Sequence, residues 1–247
     1  MRRPASSGGA RRQAGQATIE YLYVIPILLV LLLGSLQLIF IYEAKETLNY
    51  ATFTGTRSGA LNQGDMKAIQ DGLAAGLAPL FVHGETQQAL KDARRLAKTE
   101  LGDSKLARIE IVNPTPAALS GFGGEIPNDN LMYRPDDEYK DGMNVQDANL
   151  LKVRVTYCVR LVVPLVNRMI YAFAVSPPAT PDKIDTLDAT NNRIAAPDML
   201  KVSTGGATSG LCVSPDDTYP YRIPVTAEAV VRMQSAFSNP SGVWTAP

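Results

Sequence analysis

The stretch LYVIPILLVLLLGSLQLIFIY, residues 22–42, decides the architecture of this chain of 247 residues. It contains no charged side chain, and as a helix it would extend about 32 Å, close to the thickness of a bilayer's hydrocarbon core. Pro26 and Gly34 are tolerated in membrane helices. A buried core helix is disfavoured, because the run is apolar on all sides and basic residues flank one end only. The sequence therefore predicts one membrane-spanning helix.

The charges on the two sides of this run predict its orientation. No acid precedes Glu20, and the residues before the run include the basic side chains Arg2, Arg3, Arg11 and Arg12. The positive-inside rule then places the N-terminus in the cytoplasm and residues 43–247 outside, for a single-pass protein of a bacterial inner membrane. A cleaved secretory signal is the rival interpretation, but its apolar region is shorter and ends in small residues, whereas this run ends in Phe40, Ile41 and Tyr42.

The composition excludes several classes of function. The chain has 24 basic and 24 acidic side chains, so no excess positive charge favours nucleic acid. It has one histidine, His83, and no nucleotide, nucleophile-elbow or zincin motif. The acids Asp136, Asp137, Glu138 and Asp141 lack EF-hand spacing and are predicted to form a solvated loop. We therefore expect no catalytic residue, no metal site and no cofactor, and the protein is predicted not to be an enzyme.

Hydrophobic periodicity after the membrane helix predicts an α+β domain. Apolar residues recur at helical spacing in two segments, 65–82 and 85–101, and Gly102 is suited to end the second. A further short helix is expected at 165–175. Apolar and polar residues alternate in three segments, as expected of half-buried strands: 106–112, 151–159 and 225–233. This pattern favours a small antiparallel sheet packed on helices.

Two segments rich in proline and glycine, 113–148 and 176–222, are predicted to be long loops and the surfaces that face partners. The only two cysteines are Cys158, in the second strand, and Cys212, in the second loop. In an oxidising compartment an even pair predicts a disulfide between them, and two unpaired buried thiols are the alternative.

Small residues recur every four positions just beyond the membrane run. Ala51, Gly55 and Gly59 would lie on one face of a helix that continues through residues 43–63. Such a face permits close helix packing, in lipid or just outside it. A frayed stalk is the alternative, because Thr and Gly are poor helix formers.

The residues that lead into the membrane run resemble a known processing site. Gly15 is followed by four residues and then by Glu20 and Tyr21, as in the Flp-type prepilins. Residues 49–57, NYATFTGTR, resemble the segment after the membrane helix of TadE-like proteins, pilin-like components of the tight-adherence (Tad) pilus machinery. Residues 223–234 are similar to the closing strand of those proteins. The resemblance is thin between these segments.

The resemblance implies a function in assembly. It implies that a prepilin peptidase cuts between Gly15 and Gln16, and that Glu20 pairs with the N-terminal amine of a neighbouring pilin-like subunit. The predicted organisation is then a basic leader, a membrane helix with its continuation, and an extracytoplasmic domain: residues 1–15, 16–63 and 64–247. The alternative is a signal-anchored periplasmic binding or sensor domain outside any pilus. An extracytoplasmic enzyme is a third class, and no constellation of residues supports it.

Overall fold

A computed structural model describes residues 14–135, 139–174, 211–212 and 221–247, without the side chains of 14–19 and 173–174. The leader up to residue 13, the acids 136–138 and most of the segment 176–222 lie outside the described residues. Helix α1 (Ala14–Leu61) has 48 residues and continues past Pro26 without a break. At 1.5 Å per residue it is about 72 Å long. It is therefore more than twice as long as the predicted membrane run.

Two further helices follow α1. Helix α2 (Met66–Leu77) begins at Asp65, whose carboxylate accepts a hydrogen bond from the amide of Lys67, and it gives way to a 3-10 turn (Ala78–Phe81). Helix α3 (Gln87–Leu101) begins at Thr86, whose hydroxyl accepts from the amide of Ala89, and it ends at Gly102 as predicted. These side chains satisfy backbone donors that the first turn of a helix leaves unpaired.

Four strands form one antiparallel sheet in the order β3-β2-β1-β4. Their bounds are β1 (Ala107–Asn113), β2 (Leu150–Arg160), β3 (Arg222–Arg232) and β4 (Thr245–Ala246). The α+β class, the apolar N-terminal helix and the small antiparallel sheet on helices are confirmed. Strand β4 was not predicted.

The two faces of the sheet follow the alternation of β2. Leu151, Val153 and Val155 are fully buried against the helices and form part of the hydrophobic core. On the opposite face Glu228 accepts from Lys152 at 2.8 Å and from Arg154 at 2.6 Å. One face of the sheet is therefore core, and the other carries a network of partly exposed ion pairs.

The segment predicted as the first long loop contains regular structure. It carries helix α4 (Pro116–Gly121), a 3-10 turn (Leu131–Tyr133) and helix α5 (Val145–Ala148). The amide of Ile126 also donates to the carbonyl of Phe237 at 2.8 Å. Thr115 and Asn144 cap the two short helices with their side chains, which explains why proline-rich sequence is ordered here. Helix α6 (Val166–Ala174) follows β2, where a short helix was predicted.

Candidate functional site

The N-terminal part of α1 extends away from the rest of the protein. Apolar side chains from residue 21 to residue 32 are exposed, and Leu22 and Leu31 are 70% and 64% exposed. Among the described residues α1 is the one helix long and apolar enough to cross a membrane, and little of its most apolar stretch is buried by the protein itself. A soluble core helix would be covered. The exposed apolar surface therefore indicates single-pass membrane anchoring.

The residues of the processing motif lie at the start of this helix. Gly15 and Gln16 belong to the first turn of α1, and Glu20 and Tyr21 are exposed one turn later. Gln16 and Glu20 are four positions apart and so share one side of the helix. Glu20 thus lies about one helical turn beyond Gln16.

The face formed by Ala51, Gly55 and Gly59 is covered by α2 of the same chain. A Cβ atom at Gly55 would lie 2.6 Å from Leu73 Cγ, and one at Gly59 would lie 2.6 Å from Ile69 Cγ1. Ala51 is fully buried. This face is therefore occupied within the chain.

The opposing face of α2 also consists of small residues. A Cβ at Gly72 would lie 2.8 Å from Gly55 Cα, and one at Gly76 would lie 2.5 Å from Ala51 Cα. Glycines on both helices thus allow the two backbones to touch. Gly72 and Gly76 were not identified from the sequence, although their four-residue spacing is the same signal that identified Gly55 and Gly59.

Two polar side chains of α1 hold the sheet and its following loop to the membrane helix. The Gln37 side-chain oxygen accepts from the amide of Val162 at 3.0 Å and from that of Val163 at 2.8 Å. The ammonium group of Lys45 donates to the carbonyl of Thr226 in β3. Gln37 is fully buried although it lies within the apolar run. Neither contact was predicted from the sequence.

A charged cluster closes the end of the sheet nearest these contacts. The Glu100 carboxylate of α3 accepts from Arg222 of β3, from Arg160 at 2.5 Å and from the hydroxyl of Tyr157. Burial by itself would raise the pKa of Glu100, but hydrogen bonds from Arg222, Tyr157 and Arg160 outweigh it and hold the pKa below its ordinary value. Burial and the neighbouring Glu100 raise the pKa of Tyr157. Both side chains are thus engaged in hydrogen bonds that join α3 to the sheet.

The predicted disulfide is present. Cys158 and Cys212 are bonded, with their Cα atoms 5.4 Å apart. The amide of Cys212 donates to the carbonyl of Lys105 at 2.9 Å, and Leu106 and Leu211 cover the bond. The bridge therefore fastens Leu211 and Cys212 to the face of the sheet opposite the core, at the start of β1.

One groove in the described part of the chain lies beside α1. This groove of about 410 Å³ lies between α1 and the turn after α2, and it contains His83 together with apolar residues such as Phe40 and Leu80. Within the described part of the chain, no three His, Cys, Asp or Glu side chains come together as metal ligands would. What the described residues offer is a long helix with an uncovered apolar part and a domain fastened to its other end.

These features define a single-pass membrane-anchored protein whose membrane helix continues into an α+β domain. Among known families, the one described as "TadE-like protein" matches residues 15–57. That region contains the Gly15–Glu20 motif, the uncovered apolar helix, Ala51 and Gly55, so the resemblance noted from the sequence is confirmed there. No curated protein and no solved structure shows significant similarity to the chain.

Proposed function

We propose that this protein is a pseudopilin-like component that helps to assemble or initiate a Tad pilus, the Flp type. The observation that carries the proposal is the family match over residues 15–57, which indicates involvement with the Tad pilus machinery. It coincides with the part of α1 that has the processing motif and the uncovered apolar surface. The role is one of assembly through helix packing and surface docking, without catalysis.

The proposed topology puts the leader in the cytoplasm and the α+β domain in the periplasm. Its support is the position of the arginines before the span and of Glu43, Lys45 and Glu46 after it. A prepilin peptidase then removes residues 1–15 from the cytoplasmic side. The new α-amino group on Gln16 has an ordinary pKa of about 8 and is mostly charged at neutral pH.

Glu20 is proposed to pair with the Gln16 amine of a neighbouring pilin-like subunit. A single charge in an apolar helix bundle is strongly unfavourable, and pairing opposite charges offsets much of that cost. Such a pair fixes the axial register of adjacent helices, which apolar packing alone leaves free to slide. Helix α2 covers Ala51, Gly55 and Gly59, so these residues are not available to another subunit. The proposed packing between subunits therefore uses the uncovered part of α1 before Gln37.

The experiment is a chromosomal replacement of single residues, with leader removal followed by gel shift and mass spectrometry and surface pili counted by electron microscopy. We expect Gly15→Val to block processing. We expect Glu20→Gln to leave membrane insertion and processing intact but to reduce pili severely. Matched controls are Gly9→Val, in the same leader, and Glu46→Gln, a carboxylate at the other end of the span.

Normal pili with both Gly15→Val and Glu20→Gln would refute the pilus role. The protein would then be a signal-anchored periplasmic binding or sensor domain. An uncut leader in the wild-type protein would point to the same alternative, so the mature N-terminal residue is the first measurement to make.

A further inference from the structure

The segment 162–169, which consists of most of the link after β2 and the first turn of α6, carries apolar side chains that are about half exposed or more. Val162 is 59% exposed, Leu165 is 65% exposed and Met169 is 48% exposed. The same segment buries Val163, Val166 and Asn167. It is therefore an ordered element with apolar side chains both in the protein interior and on its exposed surface.

The contact of this segment with α1 determines how deep the segment lies relative to the hydrocarbon region of the membrane. Gln37, which binds the amides of Val162 and Val163, lies five residues before Tyr42, where the apolar run ends. Five residues of helix correspond to about 7.5 Å. The beginning of the 162–169 segment therefore lies beside the apolar run, below the level at which the membrane helix leaves the hydrocarbon region.

Four amides of the segment have acceptors within the protein, as an environment without water requires. Exposed amides are strongly unfavourable in hydrocarbon, so backbone at this depth has to be paired internally. The Gln37 oxygen accepts two of these amides, and Pro164 has no amide hydrogen. The amide of Val166 donates to the carbonyl of Pro164 at 2.9 Å, and that of Asn167 donates to the carbonyl of Val163 at 3.1 Å.

We propose that the 162–169 segment is a second membrane contact, with Val162, Leu165 and Met169 inserted among the lipids of the leaflet on the domain's side. Val162 lines the same groove as Phe40, an exposed residue of the apolar run of α1, and the uncovered surface of that run itself indicates the bilayer as partner. Arg168 is exposed between Leu165 and Met169 and can extend to lipid phosphates while its methylene groups stay in the apolar layer. The proposal rests on the membrane anchor and does not depend on a role in pili.

The test uses the full chain reconstituted into vesicles of phosphatidylethanolamine and phosphatidylglycerol. A nitroxide label is attached at Leu165→Cys, and the disulfide leaves no other thiol, because Cys158 and Cys212 are the only cysteines. Collision with oxygen, which partitions into lipid, is compared with collision with a water-soluble nickel chelate. The matched control is Met132→Cys, an apolar side chain that is 86% exposed in the 3-10 turn Leu131–Tyr133. A third label at Leu29→Cys reports whether the span is inserted.

We expect the oxygen-to-nickel collision ratio at position 165 to exceed that at position 132 severalfold and to approach that at position 29. A ratio at 165 equal to that at 132 would overturn the proposal, because the segment would then be in water. Low collision rates with both reagents would also overturn it, since a protein surface such as a second copy would be covering the segment. Water exposure at position 29 would refute the anchor and this proposal together, whereas failure at position 165 alone leaves the pilus role intact.

Discussion

Arg222 donates two hydrogen bonds to the carboxylate of Glu100, from Nη1 to Oε2 at 3.1 Å and from Nη2 to Oε1 at 3.0 Å. Both side chains are almost buried, and they join the last turn of α3 to the first residue of β3. Two-point pairing of this kind fixes geometry as well as charge. The contact therefore holds the third helix against the end of the sheet that faces the membrane helix.

The pairing predicts acid sensitivity. The folded pKa of Glu100 lies below that of an unfolded chain, about 4.3, so the folded state binds fewer protons and the ionised group stabilises the fold. This stabilisation is complete above pH of about 4.3 and is lost as the pH falls through the lower folded pKa. We expect the difference in Tm between wild type and Glu100→Gln to shrink over that range, as measured by circular dichroism in detergent micelles. The comparison with Glu100→Gln is needed because Lys152 and Arg154 also lower the pKa of Glu228, so the wild-type protein loses stability in acid for that reason too.

At neutral pH, Glu100→Gln should itself lower stability by about 2 kcal/mol, because it weakens charge-assisted hydrogen bonds and leaves Arg222 unpaired. That corresponds to a fall in Tm of roughly 4–8 °C for a domain of this size. Asp129→Asn is the control, since its pair with Arg134 is exposed and should change Tm little. Equal effects of the two substitutions would contradict the structural role of Glu100.

The contact between α1 and α2 predicts that Gly76→Ala destabilises the protein. The added methyl group would lie 2.5 Å from Ala51 Cα, so the two main chains have to separate. We expect a loss of about 1–3 kcal/mol from overpacking, although alanine is the better helix former by about 1 kcal/mol. Gly34→Ala is the control, because nothing lies within 4 Å of its added methyl group. A Tm for Gly76→Ala at or above that of the wild type would show that the helices are not in contact.

The disulfide predicts a measurable contribution to stability. Cys158 and Cys212 are 54 residues apart, and closing a loop of that length stabilises a fold by about 4 kcal/mol in the chain-entropy model. The double variant Cys158→Ser, Cys212→Ser should therefore unfold at lower temperature than the oxidised protein and match the reduced wild type. Free thiols found by alkylation of the unreduced protein, folded in the periplasm, would refute the bridge.

The proposed topology predicts the behaviour of reporters fused after Pro247. A phosphatase that folds only in the periplasm should be active there, and a reporter that fluoresces only in the cytoplasm should be silent. The same phosphatase on a chain that lacks residues 22–42 should be inactive. The reverse pattern would place the domain in the cytoplasm and exclude processing and assembly as proposed.

Elements with strong local patterns could be predicted from the sequence. The alternation along β2 and the helical spacing in α3 gave both elements within a few residues of their observed bounds. The small residues at 51, 55 and 59 indicated a packing face but not its partner. Their spacing shows that small side chains share one side of the helix, and it does not show which element packs there. Strand β4 has two residues, which is too short for any alternation to appear.

Long-range polar contacts could not be predicted. Gln37 looks like an isolated polar residue in an apolar run, and its partner amide at Val163 is 126 residues away. Glu100 lies in the charged part of an amphipathic helix, and its partner Arg222 is 122 residues away. Every residue except proline has a backbone amide, so the sequence cannot show which amide Gln37 binds. The sequence also cannot show which of many arginines pairs with Glu100, so only the fold identifies these pairs.

The attachment of the domain along α1 has a mechanical consequence. Between Gln37 and Leu61 the helix is unbroken, and the domain contacts it near both ends, through Val163 at one and through Leu151, beside Gly59, at the other. The domain is thus held to the helix at two separate positions. A turn of the anchor by one residue step, about 100°, swings the domain through the same angle. We therefore expect a rotation or an axial shift of the anchor to move the domain with it.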